Sequence, residues 1–270
     1  MNRSGDVRVG VGLGTLAAIA LVGTAPFGAA QAQAADVTRV LNWDGGDRVA
    51  VSVPGEVRYV PGAANKVTIT GPREVVDRIY VRDGVIGYEP GAWLGWRFGR
   101  SWRKDEVHVV LTTPHLSDAR ISGAARLDLG RLEQDRLGLG LSGAGRVRAS
   151  GAIRTLNLSV SGAGGVALEG LKTGRIEADM SGAGWIKASG ESDSLALRMS
   201  GAGNADFGGL DLQDADARLS GVGAATLAPK RSAEVAISGA AHVRLLTDPP
   251  RLRTHRSGAG GIATPHGWEG

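Results

Sequence analysis

LNLSVSGAGGVAL, residues 156–168, decides the fold of this 270-residue chain. Leu156, Leu158 and Val160 alternate with Asn157 and Ser159, which is the period-two pattern of a half-buried strand. After the corner Ser161-Gly162-Ala163-Gly164 the alternation resumes at Val166 and Leu168. The same plan returns with Ile176, Ala178 and Met180, then Leu195, Leu197 and Met199, then Ala215, Ala217 and Leu219. The corner serines fall at 122, 142, 161, 181, 200, 220, 238 and 257, in steps of 18 to 20 residues. A short, nearly insertion-free period of this kind predicts a solenoid, each repeat one coil stacked on the last. The chain therefore reads as all-β, a single-stranded β-solenoid (β-helix) with about 19–20 residues per coil. At a strand spacing of about 4.8 Å, eight coils make a rod of about 40 Å.

The residue before each corner forms its own column: Ile121, Leu141, Val160, Met180, Met199, Leu219 and Ile237, all apolar and expected to stack in the core. Glycine at the corner admits a positive φ, and the corner serines are expected to bond neighbouring backbone groups and to stack as a ladder along the axis. At the eighth corner Arg256 takes the apolar slot. Arg251, Arg253, His255 and Arg256 are thus expected to form a polar cap that ends strand addition.

The ends differ from the repeats. Arg3 and Arg8 precede an uncharged stretch over 9–24, Pro26 interrupts it, and AQAQA follows at 30–34, so residues 1–34 read as a signal peptide cleaved after Ala34. The apolar run is short for a membrane span, and no later run is long enough to cross a bilayer. Residues 35–270 are then one solenoid domain, with irregular N-terminal coils over 35–120 and regular coils over 121–265. Short strands punctuated by Pro54-Gly55, Pro61-Gly62 and Gly71-Pro72 fill the irregular part, with one helical turn at 73–77. With no cysteine, packing and backbone pairing alone must hold an exported fold. The 31 basic and 27 acidic side chains nearly balance, which argues against a nucleic-acid partner bound through phosphate neutralisation.

The serial SGAG corners resemble the head GIN domain family, the auto-transporter adhesins. So do the lead-in VSVPGEVRYV…NKVTITGPREVVDRIYVRDGVIGYE and the segment VHVVLTTPHLSDARISGAARLDL. The resemblance covers nearly all of residues 35–270. It implies an exported bacterial β-solenoid, right-handed as the crossover rule also favours, with a place in the periplasm or at the cell surface.

Candidate chemistry is sparse. Gly138 to Gly143 matches G-x-G-x-x-G but lies in a strand and corner with no helix to follow, so no dinucleotide site is expected. His108, His115, His242, His255 and His266 lack metal-ligand spacing. No nucleophile elbow is present. The acids Glu191, Asp193, Asp211, Asp214 and Asp216 sit on coils without the long loops that build a glycosidase cleft. No catalytic residue, cofactor or metal is assigned. One segment stands apart: YEPGAWLGWRFGRSWRK, residues 88–104, mixes aromatic and basic side chains. Trp93, Trp96, Arg97, Phe98, Arg100, Trp102 and Arg103 form a candidate ligand-contact loop suited to stacking on sugars, or else a cap on the N-terminal end of the solenoid. With the outward residues Arg146, Arg148, Glu177, Trp185 and Lys187, this loop points to a non-enzymatic envelope binding or adhesion module whose partner is a glycan or surface protein. A polysaccharide-active enzyme on the same scaffold would instead show a cleft with convergent ionisable groups, and a purely structural envelope protein would need neither.

Overall fold

The computed structural model describes residues 36–89 and 107–269. Five long strands carry the regular repeats: β9 (Arg126–Gly143), β10 (Arg146–Gly162), β11 (Gly165–Gly182), β12 (Trp185–Gly201) and β13 (Asn204–Gly221). Each pairs in parallel with the next, one coil on. Within a strand the in–out alternation slips. In β11 two successive outward residues occur at 169–170 and again at 174–175, and the third slip is the Ser-Gly corner. Each coil therefore bends three times and the stack is a three-sided prism. In β10 the first face is residues 146–149, the second 151–153 and the third 155–161, with the ladder register shifting between Ser150 and Gly151.

Inward side chains stack in columns. The register Val160↔Met180↔Met199↔Leu219↔Ile237 carries the pre-corner column through five coils, all of it buried. One continuous apolar cluster fills the prism from Trp43 to Ile262. This is how coils too small to bury a face alone reach a common core.

The corner glycines are required twice over. Gly143, Gly162, Gly182, Gly201 and Gly221 all have φ between 112° and 117°, a region closed to most L side chains. A Cβ on Gly182 would also lie 2.6 Å from the carbonyl oxygen of Gly162 in the coil below. That close approach lets the ladder pass through the corner unbroken: Ala163 N–H donates to Gly143 O at 2.9 Å, and Gly165 N–H to Gly145 O at 3.0 Å. The expected serine ladder does not form. Among the described residues only Ser142 of the corner serines bonds another coil, donating to Ile121 O at 3.3 Å. The ladder bonds of the corner run from backbone to backbone, and the corner hydroxyls turn outward to solvent.

The N-terminal part departs from a set of wider coils. β2 (Arg48–Val51) and β3 (Glu56–Pro61) do continue the prism, pairing in parallel with β8 (Asp118–Gly123) and β9. Beyond them the sheet turns antiparallel. β7 (His108–Thr113) joins β3 in parallel, β4 (Lys66–Pro72) runs antiparallel to β7, and β1 (Asp36–Asn42) runs antiparallel to β4. Only four residues separate β3 from β4, too few for a parallel crossover. β5 (Ile79–Arg82) and β6 (Val85–Tyr88) close as a hairpin on Asp83-Gly84, whose φ of 51° and 74° match a type I′ turn. The expected helical turn is α1 (Arg73–Val76), which buries Val75 and Val76.

At the other end the coils shorten into β14 (Ala224–Leu227), β15 (Pro229–Gly239) and β16 (His242–Leu245). Pro249 and Pro250 supply no N–H for the second face, which stops there. β17 (Arg251–Ser257) ends the third face, and β18 (Gly261–Thr264) ends the first, folded over antiparallel by β19 (Gly267–Glu269).

Candidate binding surface

Outward positions fall in rows along the prism because each coil repeats the last in register. On the third face the second residue before each corner forms the row Ser159, Asp179, Arg198, Arg218, Ala236 and His255. Beside it runs the row of corner serines. Between the two lies an open groove of about 550 Å³, floored by the backbone of the buried column from Met180 to Ile237 and reaching Arg256 and Ser257. Ser181, Ser200, Ser220, Ser238 and Ser257 are exposed along it, and none of these hydroxyls has a protein partner among the described residues. Arg198 approaches Asp179 at 3.6 Å and Arg218 approaches Asp216 at 3.0 Å. Arg256 lies outside the core and donates to Gly260 O at 3.4 Å.

The outward residues singled out by sequence divide between two faces. Arg146, Arg148, Trp185 and Lys187 share the first face. Trp185 is half-buried and lies over Gly165, where any Cβ would run into the indole, and the Arg146 guanidinium sits 5.8 Å from its ring. The indole thus fills the place of an absent side chain. Lys187 comes within 3.9 Å of Asp206. Glu177 belongs to the third face instead, accepting from Arg175 Nε at 2.8 Å. The loop Trp93, Trp96, Arg97, Phe98, Arg100, Trp102 and Arg103 lies outside the described residues. Beside it Tyr88 is half-buried, and burial raises its phenol to about 12, against a lowering by Arg78.

Of the five acids, Glu191, Asp193 and Asp211 line one open hollow beside Lys172, with Glu191 next to Asp211 in the ladder, while Asp214 and Asp216 are paired elsewhere. Asp211 meets Lys230 at 2.6 Å, Asp214 accepts from Arg231 and from Ser232 Oγ at 2.6 Å, and Asp216 faces Arg218. The hydrogen bonds from Arg231 and Ser232 hold the Asp214 carboxyl down at about 2. The Asp211 and Asp214 pairs join successive coils, whereas Asp216 and Arg218 are neighbours on one face of the same strand. Gly138 and Gly140 lie under the Asp118–Arg120 ion pair of the coil below. His108 faces Glu56 at 3.5 Å and His266 faces Asp248 at 3.0 Å. Among the described residues no three His, Asp or Glu side chains are grouped to hold a metal, and no helix is long and apolar enough to cross a membrane.

Sequence reading passed over the groove because each of its residues is an ordinary outward polar position in its own strand. Aligning the column two residues ahead of each corner is the signal that finds it. It also passed over three polar side chains that point inward. Gln134 Nε2, Thr173 Oγ1 and Ser192 Oγ each donate to the carbonyl two residues on, at Arg136, Arg175 and Ser194, and so staple the corner between the second and third faces.

The family model described as "Putative auto-transporter adhesin, head GIN domain" matches residues 47–249. No curated protein matches the chain by sequence. Among solved structures, a putative lipid binding protein from Parabacteroides distasonis aligns with a TM-score of 0.76 at 15% identity, over 85% of this chain and 96% of that one. A putative adhesin from Bacteroides fragilis aligns with a TM-score of 0.62 at 20% identity, over 86% and 98%. A putative adhesin from Parabacteroides merdae aligns with a TM-score of 0.69 at 17% identity, over 85% and 95%. At these identities the likeness establishes a shared β-solenoid fold.

Proposed function

The chain belongs to the head GIN domain family of putative auto-transporter adhesins, and from that premise we propose that it is an exported, non-catalytic binding module of the cell envelope. The observation that carries this reading is the arrangement of its outward groups in axial rows. A serine hydroxyl repeats once per coil along the open third-face groove, and the row beside it presents a polar or charged side chain in every coil but that of Ala236. A ligand would be engaged over several coils at once, which suits an extended glycan or a surface protein better than a small substrate. The pairing of Asp211 with Lys230 and of Asp214 with Arg231 supports the same reading, because these two carboxylates are committed to a neighbouring coil. The first-face residues Arg146, Arg148, Trp185 and Lys187, together with the loop Trp93 to Trp102, are further contact candidates.

The test has two parts. Expressed with residues 1–34 in place, the chain should be exported and its N-terminus should begin at Ala35. The purified product should then be retained by envelope fractions. Retention should fall when Trp93, Trp96 and Trp102 are replaced by alanine if the loop contributes. A protein that stays in the cytoplasm, or that no envelope fraction retains, would overturn the reading.

A further inference from the structure

We infer that the third-face groove is a binding site for a linear anionic polysaccharide, laid along the prism axis with its sugar units in step with the coils. This rests on the reading above that the outer surface binds an extended ligand, and it names that ligand's chemistry. Three observations carry it.

The first is shape. The groove runs across the strands past six successive coils, from Ser159 to His255, and is open along its length. Coils follow one another at about 4.8 Å, close to the length of one pyranose unit in an extended chain. A polymer lying there meets a new copy of the same protein groups with each sugar.

The second is hydrogen bonding. Ser181, Ser200, Ser220, Ser238 and Ser257 line one wall with hydroxyls that bond no protein group among the described residues. A hydroxyl donates once and accepts twice, which matches the mixed donors and acceptors of a sugar ring. The backbone ladder passes through the corner without them.

The third is charge. Arg198 and Arg218 lie directly side by side in the ladder, and like charges in that relation destabilise a sheet. Asp179 and Asp216 stand on their flanks, but the groove itself is lined by Arg198, Arg218, Arg256 and His255 against the single carboxylate of Asp179. An acidic group between Arg198 and Arg218 would relieve the repulsion and gain charge-assisted hydrogen bonds. Ala236, next in that row, leaves the groove open above Arg218.

Calorimetric titration of the folded protein with mannuronate oligomers of two to eight units tests the proposal. Neutral cello-oligomers of the same lengths and vesicles of phosphatidylcholine with phosphatidylglycerol serve as comparisons. Affinity for the uronates should rise with length and level off near six units, the number of coils the groove passes. The pair Arg198→Gln and Arg218→Gln should weaken hexamer binding about ten-fold or more, the loss of two charge-assisted bonds. Ser220→Ala with Ser238→Ala should weaken it several-fold at an unchanged melting temperature. Ala236→Glu, which puts a carboxylate into the groove, should abolish it while circular dichroism stays unchanged. Equal binding of neutral oligomers, binding of the vesicles in place of the oligomers, or identical binding by all three variants would each overturn the proposal. Envelope retention without uronate binding would overturn this proposal and leave the function above standing, whereas loss of both would remove both.

Discussion

Gly182 shows how much of this molecule is decided by single residues. Its φ of 112° excludes a side chain on local grounds, and the carbonyl oxygen of Gly162 would stand 2.6 Å from its Cβ. Neither constraint can relax alone, because the same approach makes the hydrogen bond from Ala183 to Gly162 O. Gly182→Ala should therefore cost at least about 2 kcal/mol, read as a lowered midpoint in chemical denaturation. Ser181→Ala, one residue away with an exposed hydroxyl and no protein partner, should move the midpoint by less than about 0.5 kcal/mol. Asp214 gives the corresponding electrostatic test. Its carboxyl is lowered to about 2 by Arg231 and Ser232, so its contribution to stability is full above the ordinary carboxylate range, near pH 4. It is lost as pH falls from there through about 2. Because the pair is largely exposed, the loss should be below about 1 kcal/mol. Asp214→Asn should flatten the stability profile over that interval, and a carboxyl titrating near 4 in the folded protein would contradict the assignment.

At the scale of the coil, period-two alternation and the glycine corner were legible in sequence because both are local: a strand face repeats every second residue, and a left-handed corner admits little but glycine. The two other bends per coil were passed over. One lies at a glycine in every regular coil, Gly130, Gly151, Gly170, Gly190 and Gly209, a second column that shows only when the repeats are aligned. The other lies at Thr155 or Gly174, where no fixed residue marks it. The staples were hidden for a related reason. Thr173 and Ser192 occupy inward slots that Ile153 and Leu212 fill in neighbouring coils, so no repeated polar column marks them. Thr173 Oγ1 in fact serves both Arg175 O at 3.2 Å and Arg154 O at 3.4 Å. Thr173→Val keeps the shape and removes the donor, leaving corner carbonyls without it, and should cost about 1–2 kcal/mol. The outward Ser181→Ala is the contrast within the same coil. If both substitutions proved equally mild, the staples would be incidental. The antiparallel N-terminal strands were illegible for a topological reason: EVRYV and KVTIT alternate as any coil strand does, and only the four-residue link between them forbids a parallel return. The groove was hidden still more deeply, since it exists only between residues 18 to 20 apart.

For the whole molecule the decisive question is what stops a parallel stack from growing. β17 pairs with β15 on one side and has no strand on the other among the described residues, which leaves a row of backbone donors and acceptors open. The register places Leu252, Thr254 and Arg256 over Ala233, Val235 and Ile237, so the last coil puts a guanidinium where earlier coils put a buried apolar side chain. Arg251, Arg253 and His255 alternate with these on the same strand, and all are exposed. Joining two copies edge to edge at β17 would bring the guanidinium groups of Arg251 and Arg253 against those of the second copy in low-salt solution and would bury at least one charge in a shared core, both unfavourable. The same end supplies Arg256 and His255 to the groove, so protection of the edge and attraction of an acidic polymer draw on the same side chains. Replacing Arg251, Arg253 and Arg256 together by threonine, valine and isoleucine should extend the apolar column by one coil and remove the repulsion. The variant should remain folded, with a melting temperature at or above that of the parent, and should self-associate with rising concentration in sedimentation velocity. The single substitution Arg256→Ile, which restores the column but leaves Arg251 and Arg253 in place, should associate less. A triple variant that stays monomeric over the whole range would show that the prism ends by some means other than charge on its last strand.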